Sequence, residues 1–341
     1  MNRFSWALVG PGRIAHKFAE AVQRLPGHQL LRVQGRDAGR AAAFAQHWAR
    51  PDRPAPRAVT GLAELLADPA VDAVYVATPH AQHAQAVEAC LRAGKPVLCE
   101  KPLVATAAQA ERVVALARER GVFLMEAMWT RFLPLYGALR ERLAGPDGIG
   151  EVCAVRASFG YAWDYEPEGR QWNPAAAGGA LLDIGIYLFT LTRWALEREP
   201  GTCPEPLRAQ VAGLLAPSGV DRRVWATLDF EGGAVAQLFC ALDVEADNAG
   251  HLLGTRGSLT VDNPFWGATR ARLHRPHRAA EVLERPFDIN GFEYQLREAE
   301  RCIRAGLAES PQMPLAESLA LACWLDAARR EVGVRYPFDE A

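Results

Sequence analysis

Lysine is almost absent from this 341-residue chain: of 38 basic residues only Lys17, Lys95 and Lys101 are lysines. The bias toward arginine is compositional, yet it isolates Lys101. Net charge is also small, −2 at neutral pH, so no broad positive field points to nucleic acid or to an anionic membrane. No apolar run approaches the length of a bilayer span, and no basic-then-apolar leader precedes the first strand. Seven cysteines are scattered without CxxC spacing, which disfavours disulfides and zinc and favours free thiols in a reducing compartment. Internal repeats are lacking too. What remains is the expectation of a cytoplasmic protein with a small-molecule partner, without nucleic acid and without a membrane. Half of its residues are hydrophobic and 23% charged, enough material for two cored domains.

The N-terminal third alternates strands and helices. Trp6–Val9, Leu30–Val33, Ala73–Ala77, Val97–Cys99 and Phe123–Met125 read as strands, separated by helical stretches such as Ile14–Leu25, His83–Ala93 and Ala107–Arg120. This rhythm predicts an α/β Rossmann domain, a parallel sheet wrapped by helices, over residues 1–128. Beyond Trp129 strands follow one another with Gly-rich turns and few helices. That pattern predicts an α+β domain over 129–341, built on a large, mainly antiparallel sheet.

The run Gly10-Pro11-Gly12-Arg13-Ile14-Ala15 leaves the first strand and opens a helix. Gly10 permits the tight turn, Gly12 lets the backbone approach a pyrophosphate, and Ala15 keeps helix and strand close. The helix start at Arg13 and Ile14 then offers unpaired N–H groups to phosphate. At the end of the second strand, Arg36 precedes Asp37. An arginine there pairs with the 2′-phosphate of NADP, whereas an acid would favour NAD. NADP is therefore the expected cofactor, with NAD possible and Arg40 as a helper. Thr78, Pro79, His80 and His83 close the next strand at the sheet edge where cofactors sit. Two histidines without a third ligand do not make a metal site, so no metal is expected.

Four motifs carry a resemblance. Ala77-Thr78-Pro79-His80-Ala81-Gln82-His83 is followed by Gly94-Lys95-Pro96-Val97-Leu98-Cys99-Glu100-Lys101-Pro102-Leu103. Then come Glu126-Ala127-Met128-Trp129-Thr130-Arg131-Phe132 and Gly178-Gly179-Ala180-Leu181-Leu182-Asp183-Ile184-Gly185-Ile186-Tyr187. In this order they resemble the glucose–fructose oxidoreductase and inositol dehydrogenase family, in particular its dimeric dihydrodiol dehydrogenase branch. The resemblance implies an open-faced antiparallel sheet in the second domain, through which a homodimer forms. It also implies that Glu100 and Lys101 lie at the cofactor, and that Lys101 and Tyr187 are catalytic.

The chemistry suits those residues. Oxidising an alcohol removes its hydroxyl proton while hydride leaves the carbon, and a tyrosine at its ordinary pKa near 10 is too weak a base for this. A cation about 4 Å away, worth roughly 4 kcal/mol at an effective dielectric near 20, lowers that pKa by about three units. Lys101 is the natural cation. Asp183 lies four residues before Tyr187, on the same helix face, to position substrate or Lys101. The glycine pair Gly178-Gly179 brings backbone close to ligand or cofactor. Trp129 and Trp266 are candidate walls for a ring-shaped substrate, and Arg156 and Phe159 are expected to face the same cleft. These residues point to hydride transfer between nicotinamide and a secondary alcohol of a sugar or trans-dihydrodiol. An anhydro-sugar reductase and a non-catalytic NADP-binding sensor are the alternatives.

Overall fold

Apolar runs separated by amphipathic helices build the first unit, which clusters the chain up to Trp129 with Asp288–Leu319. Residues 3–339 are described here by a computed structural model, so the outer limits of the two expected domains, residues 1 and 341, lie outside it. The succession is β1 (Phe4–Val9), α1 (Arg13–Arg24), β2 (His28–Gln34), α2 (Ala38–His47), β3 (Arg57–Val59), α3 (Leu62–Leu66), β4 (Ala73–Val76), α4 (His83–Arg92), β5 (Val97–Glu100), α5 (Ala107–Arg120) and β6 (Leu124–Ala127). All six strands run parallel in the order β3-β2-β1-β4-β5-β6. Every residue of β1, β4, β5 and β6 is buried, as a sheet covered on both faces requires. The order reverses beside β1, which places the ligand crevice at the carboxyl ends of β1 and β4.

The second unit clusters Thr130–Phe287 with the chain from Ala320 onward. It contains α6 (Pro134–Ala144), β7 (Val152–Gly160), α7 (Ile186–Leu196), β8 (Arg208–Leu215), β9 (Asp221–Asp229), β10 (Val235–Ala241), β11 (Gly250–Gly254), β12 (Gly257–Val261), β13 (Arg270–His274) and β14 (Glu281–Glu284). Its sheet has eight strands in the order β14-β13-β12-β11-β7-β10-β9-β8, antiparallel except for β7 beside β10. Helix α7 packs against β7 and β10. Pro174–Leu196 is apolar and long enough to cross a membrane by composition, but it is 89% buried within the protein and serves as a core element. The other face of the sheet is open and carries Trp225 at 45% exposure, with Leu253 and Val282 also exposed.

The boundary expected at residue 128 holds for the first crossing of the chain only. The helix α8 (Glu293–Arg304) and the start of α9 (Leu315–Val332), expected in the second domain, return to the first unit. There the Leu124 N–H donates to the Ala308 carbonyl at 3.0 Å, and His28 Nε2 meets Glu300 at 2.8 Å. Such long-range pairings leave no periodic trace in a sequence.

Candidate active site

The turn after β1 is shaped for a dinucleotide. Gly10 has φ +93°, and a Cβ there would lie 2.8 Å from the Ala77 carbonyl group, so only glycine fits. Gly12 caps α1 without any side-chain hydrogen bond, leaving the helix N-terminus, at Arg13 and Ile14, open to an anion. A cavity of about 460 Å³ lies over this turn, lined by Gly10, Pro11, Gly12, Arg36, Arg40, Thr78 and Pro79 among others. The buried Thr78 hydroxyl has no hydrogen-bond partner among the described residues. An open helix end, a glycine-narrowed turn and an unpartnered buried hydroxyl fit a dinucleotide. Asp37 is otherwise engaged: it caps α2 by accepting from the Arg40 N–H at 2.9 Å, and its carboxylate lies 3.8 Å from the Arg40 guanidinium.

His83 and Glu100 do different work from that expected of them. Both ring nitrogens of His83 face carbonyls, Pro102 O at 2.8 Å and Thr78 O at 2.9 Å. The histidine thus ties the Thr78 loop to the segment after Lys101. His80 packs edge-on against it at 5.7 Å. Glu100 is buried, accepts from the Tyr75 hydroxyl, and takes the Lys101 N–H at 3.2 Å. Its carboxylate supports the lysine from within the domain rather than reaching for a cofactor. Glu126 escaped notice as a separate residue. It is 1% exposed, and its Oε1 accepts the Leu103 N–H at 2.8 Å. Trp129 lies 5.2 Å from Phe292, another residue the sequence did not single out, and the Lys17 ammonium sits 5.3 Å above the Trp129 ring.

In the second unit an aromatic cluster surrounds Tyr187. Phe159 stacks on Trp266 at 3.5 Å with planes 8° apart. Tyr187 lies 5.9 Å from Phe159 and 6.3 Å from Trp266, and is 8% exposed. The Trp266 loop is pinned by the Thr130 hydroxyl, which donates to the Trp266 carbonyl at 2.5 Å, and by Tyr136, which donates to the Phe265 carbonyl at 2.7 Å. Arg156 does not join this cluster. Side chains alternate along β7, so Val155, Ala157 and Phe159 are buried while Arg156 stands on the open face, aligned with Gln237 and His251. Period-two geometry forbids Arg156 and Phe159 from sharing one pocket.

The helical segment that carries Asp183 and Tyr187 begins as a π-turn, Leu181–Gly185, before α7. Asp183 sits in that turn and receives Arg170 Nη2 at 3.0 and 3.2 Å. The preceding glycines make room for the protein's own groups. Gly179 has φ +118°, and a Cβ there would lie 2.1 Å from Asp221 Oδ1. Asp221 is fully buried and accepts the Leu181 N–H at 2.6 Å. Burial pushes its carboxyl up to about 7, against the opposing pull of backbone N–H groups and Arg329. The sequence did not single this residue out.

Fold and cradle together define a nicotinamide-dinucleotide-dependent oxidoreductase. The chain belongs to the GFO/IDH/MocA family. Residues 4–128 match its oxidoreductase domain with NAD-binding Rossmann fold, and 138–260 match its C-terminal domain. It is 37% identical over 342 residues to the trans-1,2-dihydrobenzene-1,2-diol dehydrogenase of Homo sapiens, covering 98% of each chain, and 36% identical to that of Danio rerio. A solved 3-ketoreductase from Actinomadura kijaniata in complex with NADP and TDP-benzene superposes with a TM-score of 0.83. It is 28% identical, with 97% of this chain and 98% of that one covered. An aldose-aldose oxidoreductase from Caulobacter crescentus, at 24% identity and a TM-score of 0.83 over 97% of both chains, shares the fold. The resemblance read from the motifs is thus borne out.

Proposed function

We propose that the protein is an NADP-preferring dehydrogenase or reductase acting on a secondary alcohol of a pyranose or a trans-dihydrodiol. One observation carries the reading: the buried Tyr187 stands against the flat Phe159–Trp266 stack, four residues from Asp183. Flat aromatic faces suit the C–H face of a ring, and a tyrosine hydroxyl suits its oxygen. The names of the relatives, a trans-1,2-dihydrobenzene-1,2-diol dehydrogenase and a 3-ketoreductase solved with NADP and TDP-benzene, support the same class. Asp37 is tied to its helix cap while Arg36 and Arg40 line the cavity, which supports recognition of a 2′-phosphate.

When bound, the dinucleotide supplies or accepts the hydride. The chain's own groups handle the proton: in oxidation Tyr187 takes the hydroxyl proton and Lys101 holds the substrate oxygen, and reduction reverses both roles. The test is turnover of a panel of pyranoses and dihydrodiols with NADP and NAD. Tyr187→Phe should lower kcat by about 10²–10⁴-fold while NADPH still quenches protein fluorescence. Near-wild-type turnover in that variant would remove Tyr187 from the chemistry, and NADPH binding without turnover of any alcohol would favour the sensor.

The open face of the eight-stranded sheet, with Trp225, Leu253 and Val282 exposed, supports a homodimer formed through this face. Light scattering should give a dimer, and a monomer at micromolar concentration refutes it. Seven cysteines without CxxC spacing, with Cys153 an exposed thiol, support a cytoplasmic setting, and cell fractionation tests it.

A further inference from the structure

Side chains two apart on an extended segment share a face. The chain stays extended past the end of β7, where Ala162 bridges Asp243, and it carries aromatics at that spacing: Phe159, Tyr161 and Trp163. Their rings touch in order. Phe159 meets Tyr161 edge-on at 5.5 Å, and Tyr161 stacks on Trp163 at 5.3 Å with planes 22° apart. Trp266 joins this row to the candidate site, lying 6.3 Å from Tyr187 and 6.2 Å, edge-on, from Tyr161. A track of rings therefore leads from the buried Tyr187 to the half-buried Tyr161 and Trp163, each step close to the width of a sugar ring.

The backbone holds the outer rings in place. The Tyr161 N–H donates to the Ala241 carbonyl at 3.2 Å, the Trp163 N–H to the Leu242 carbonyl at 2.9 Å, and the Ala162 N–H to Glu245 Oε1 at 3.1 Å. Their side chains are less committed. Tyr161 is the one ring that Trp163 touches among the described residues. Neither the Tyr161 hydroxyl nor the Trp163 indole N–H has a hydrogen-bond partner among them. Burial and the Glu245 carboxylate push the Tyr161 hydroxyl above its ordinary value, so it remains a donor at neutral pH. The rim is acidic: Asp164, Glu166, Glu168 and Glu245 are exposed, and no cation occurs between residues 160 and 169. Arg222 and Arg223, brought near by the Asp243 bridge, are paired with that carboxylate at 3.3 and 2.8 Å. Such a rim repels a phosphate and accepts hydroxyl groups.

We propose that Tyr161 and Trp163 form an outer subsite for a second, neutral pyranose ring, so that the substrate is a disaccharide or larger glycoside whose reacting ring lies at Tyr187. The C–H face of the outer sugar rests on the aromatic faces, and its hydroxyls meet the Tyr161 hydroxyl, the indole N–H and the Glu245 carboxylate. The inference rests on the proposed reaction at Tyr187 and narrows its substrate from one ring to two. A dihydrodiol, with its single small ring, would leave Tyr161 and Trp163 unused.

Binding to the full chain with NADPH present separates the subsite from the chemistry, because a reduced cofactor takes no hydride from an alcohol. Calorimetric titration compares cellobiose, lactose, mannobiose and xylobiose with the methyl β-glycoside of each one's non-reducing sugar. For at least one pair the disaccharide should bind about tenfold more tightly than its one-ring counterpart. Trp163→Ala should abolish that ratio, which is taken within one protein and so is insensitive to the amount folded. Disaccharides no tighter than single rings, or a ratio kept in Trp163→Ala, overturn the proposal, as does a failure of every sugar to bind. Should Trp163→Ala not fold, Trp163→Leu keeps apolar bulk without the flat face and is read in the same way. Turnover with NADP then judges the reaction by itself. A Trp163-dependent ratio without oxidation of any sugar keeps the subsite and refutes the reaction, and dihydrodiol oxidation without the ratio does the reverse.

Discussion

Glu126 in the first unit and Asp221 in the second are buried carboxyls with the same elementary task. Each accepts a backbone N–H beside a candidate catalytic side chain, Leu103 near Lys101 and Leu181 near Asp183. Burial pushes both up to about 7. Their surroundings differ. Glu126 stands beside Ser318 and Glu317 of α9, whereas Asp221 faces Tyr336, Cys240 and Arg329. Arg329 is already committed to Asp326 at 2.6 Å and Asp339 at 2.7 Å, so little of its charge serves Asp221.

The contrast can be broken most forcefully at Gly179. An added Cβ would collide with Asp221 Oδ1 in a left-handed backbone conformation. Gly179→Ala should therefore cost about 3 kcal/mol or more of stability, read from denaturant unfolding. A variant as stable as wild type would mean that Asp221 does not anchor the loop.

A second test concerns pH. In the unfolded chain Glu126 and Asp221 release their protons near the ordinary carboxyl values of 4.5 and 3.8, but in the folded protein they hold them up to about 7. The folded state binds more protons across that window, so stability should fall as pH rises from about 4 through 7, by a few kcal/mol for each group. Glu126→Gln and Asp221→Asn should each flatten the fall while keeping an acceptor for the N–H. Equilibrium unfolding between pH 4 and 8 checks this, and a slope unchanged in both variants refutes it. The smallest effect is expected for Glu317→Gln. Removing that carboxylate, which helps hold the Glu126 proton on, should shift the pH at which stability falls downward by less than about one unit, read from the same unfolding series.

Much of the first unit was legible in the sequence. Gly10 and Gly12 after an apolar strand, the small Ala15 and the strand–helix rhythm announce a parallel sheet with a phosphate-binding turn. Local backbone requirements impose them one residue at a time. Trp266, Phe159 and Tyr187 were also legible, and the structure gathers them. What did not show was direction and depth. Arg156 and Phe159 look equivalent on paper, yet alternation along β7 sends them to opposite faces. Nor does spacing along the chain announce that Arg170 meets Asp183 or that Asp221 lies against Gly179. β13 and β14 passed unread because their short, half-exposed segments carry charge at alternate positions.

The sequence by itself determined the family, the cofactor-binding turn and the chemical identity of Lys101 and Tyr187, because these rest on residue types at close spacing. Tertiary structure alone decided which carboxyls lie buried and what they face. Glu126 and Asp221 acquire their unusual proton affinity from loss of water around them, and desolvation is created by elements distant in sequence, such as α9 packing behind β6. No pattern along a chain records that, since burial belongs to the folded packing and not to any stretch of residues.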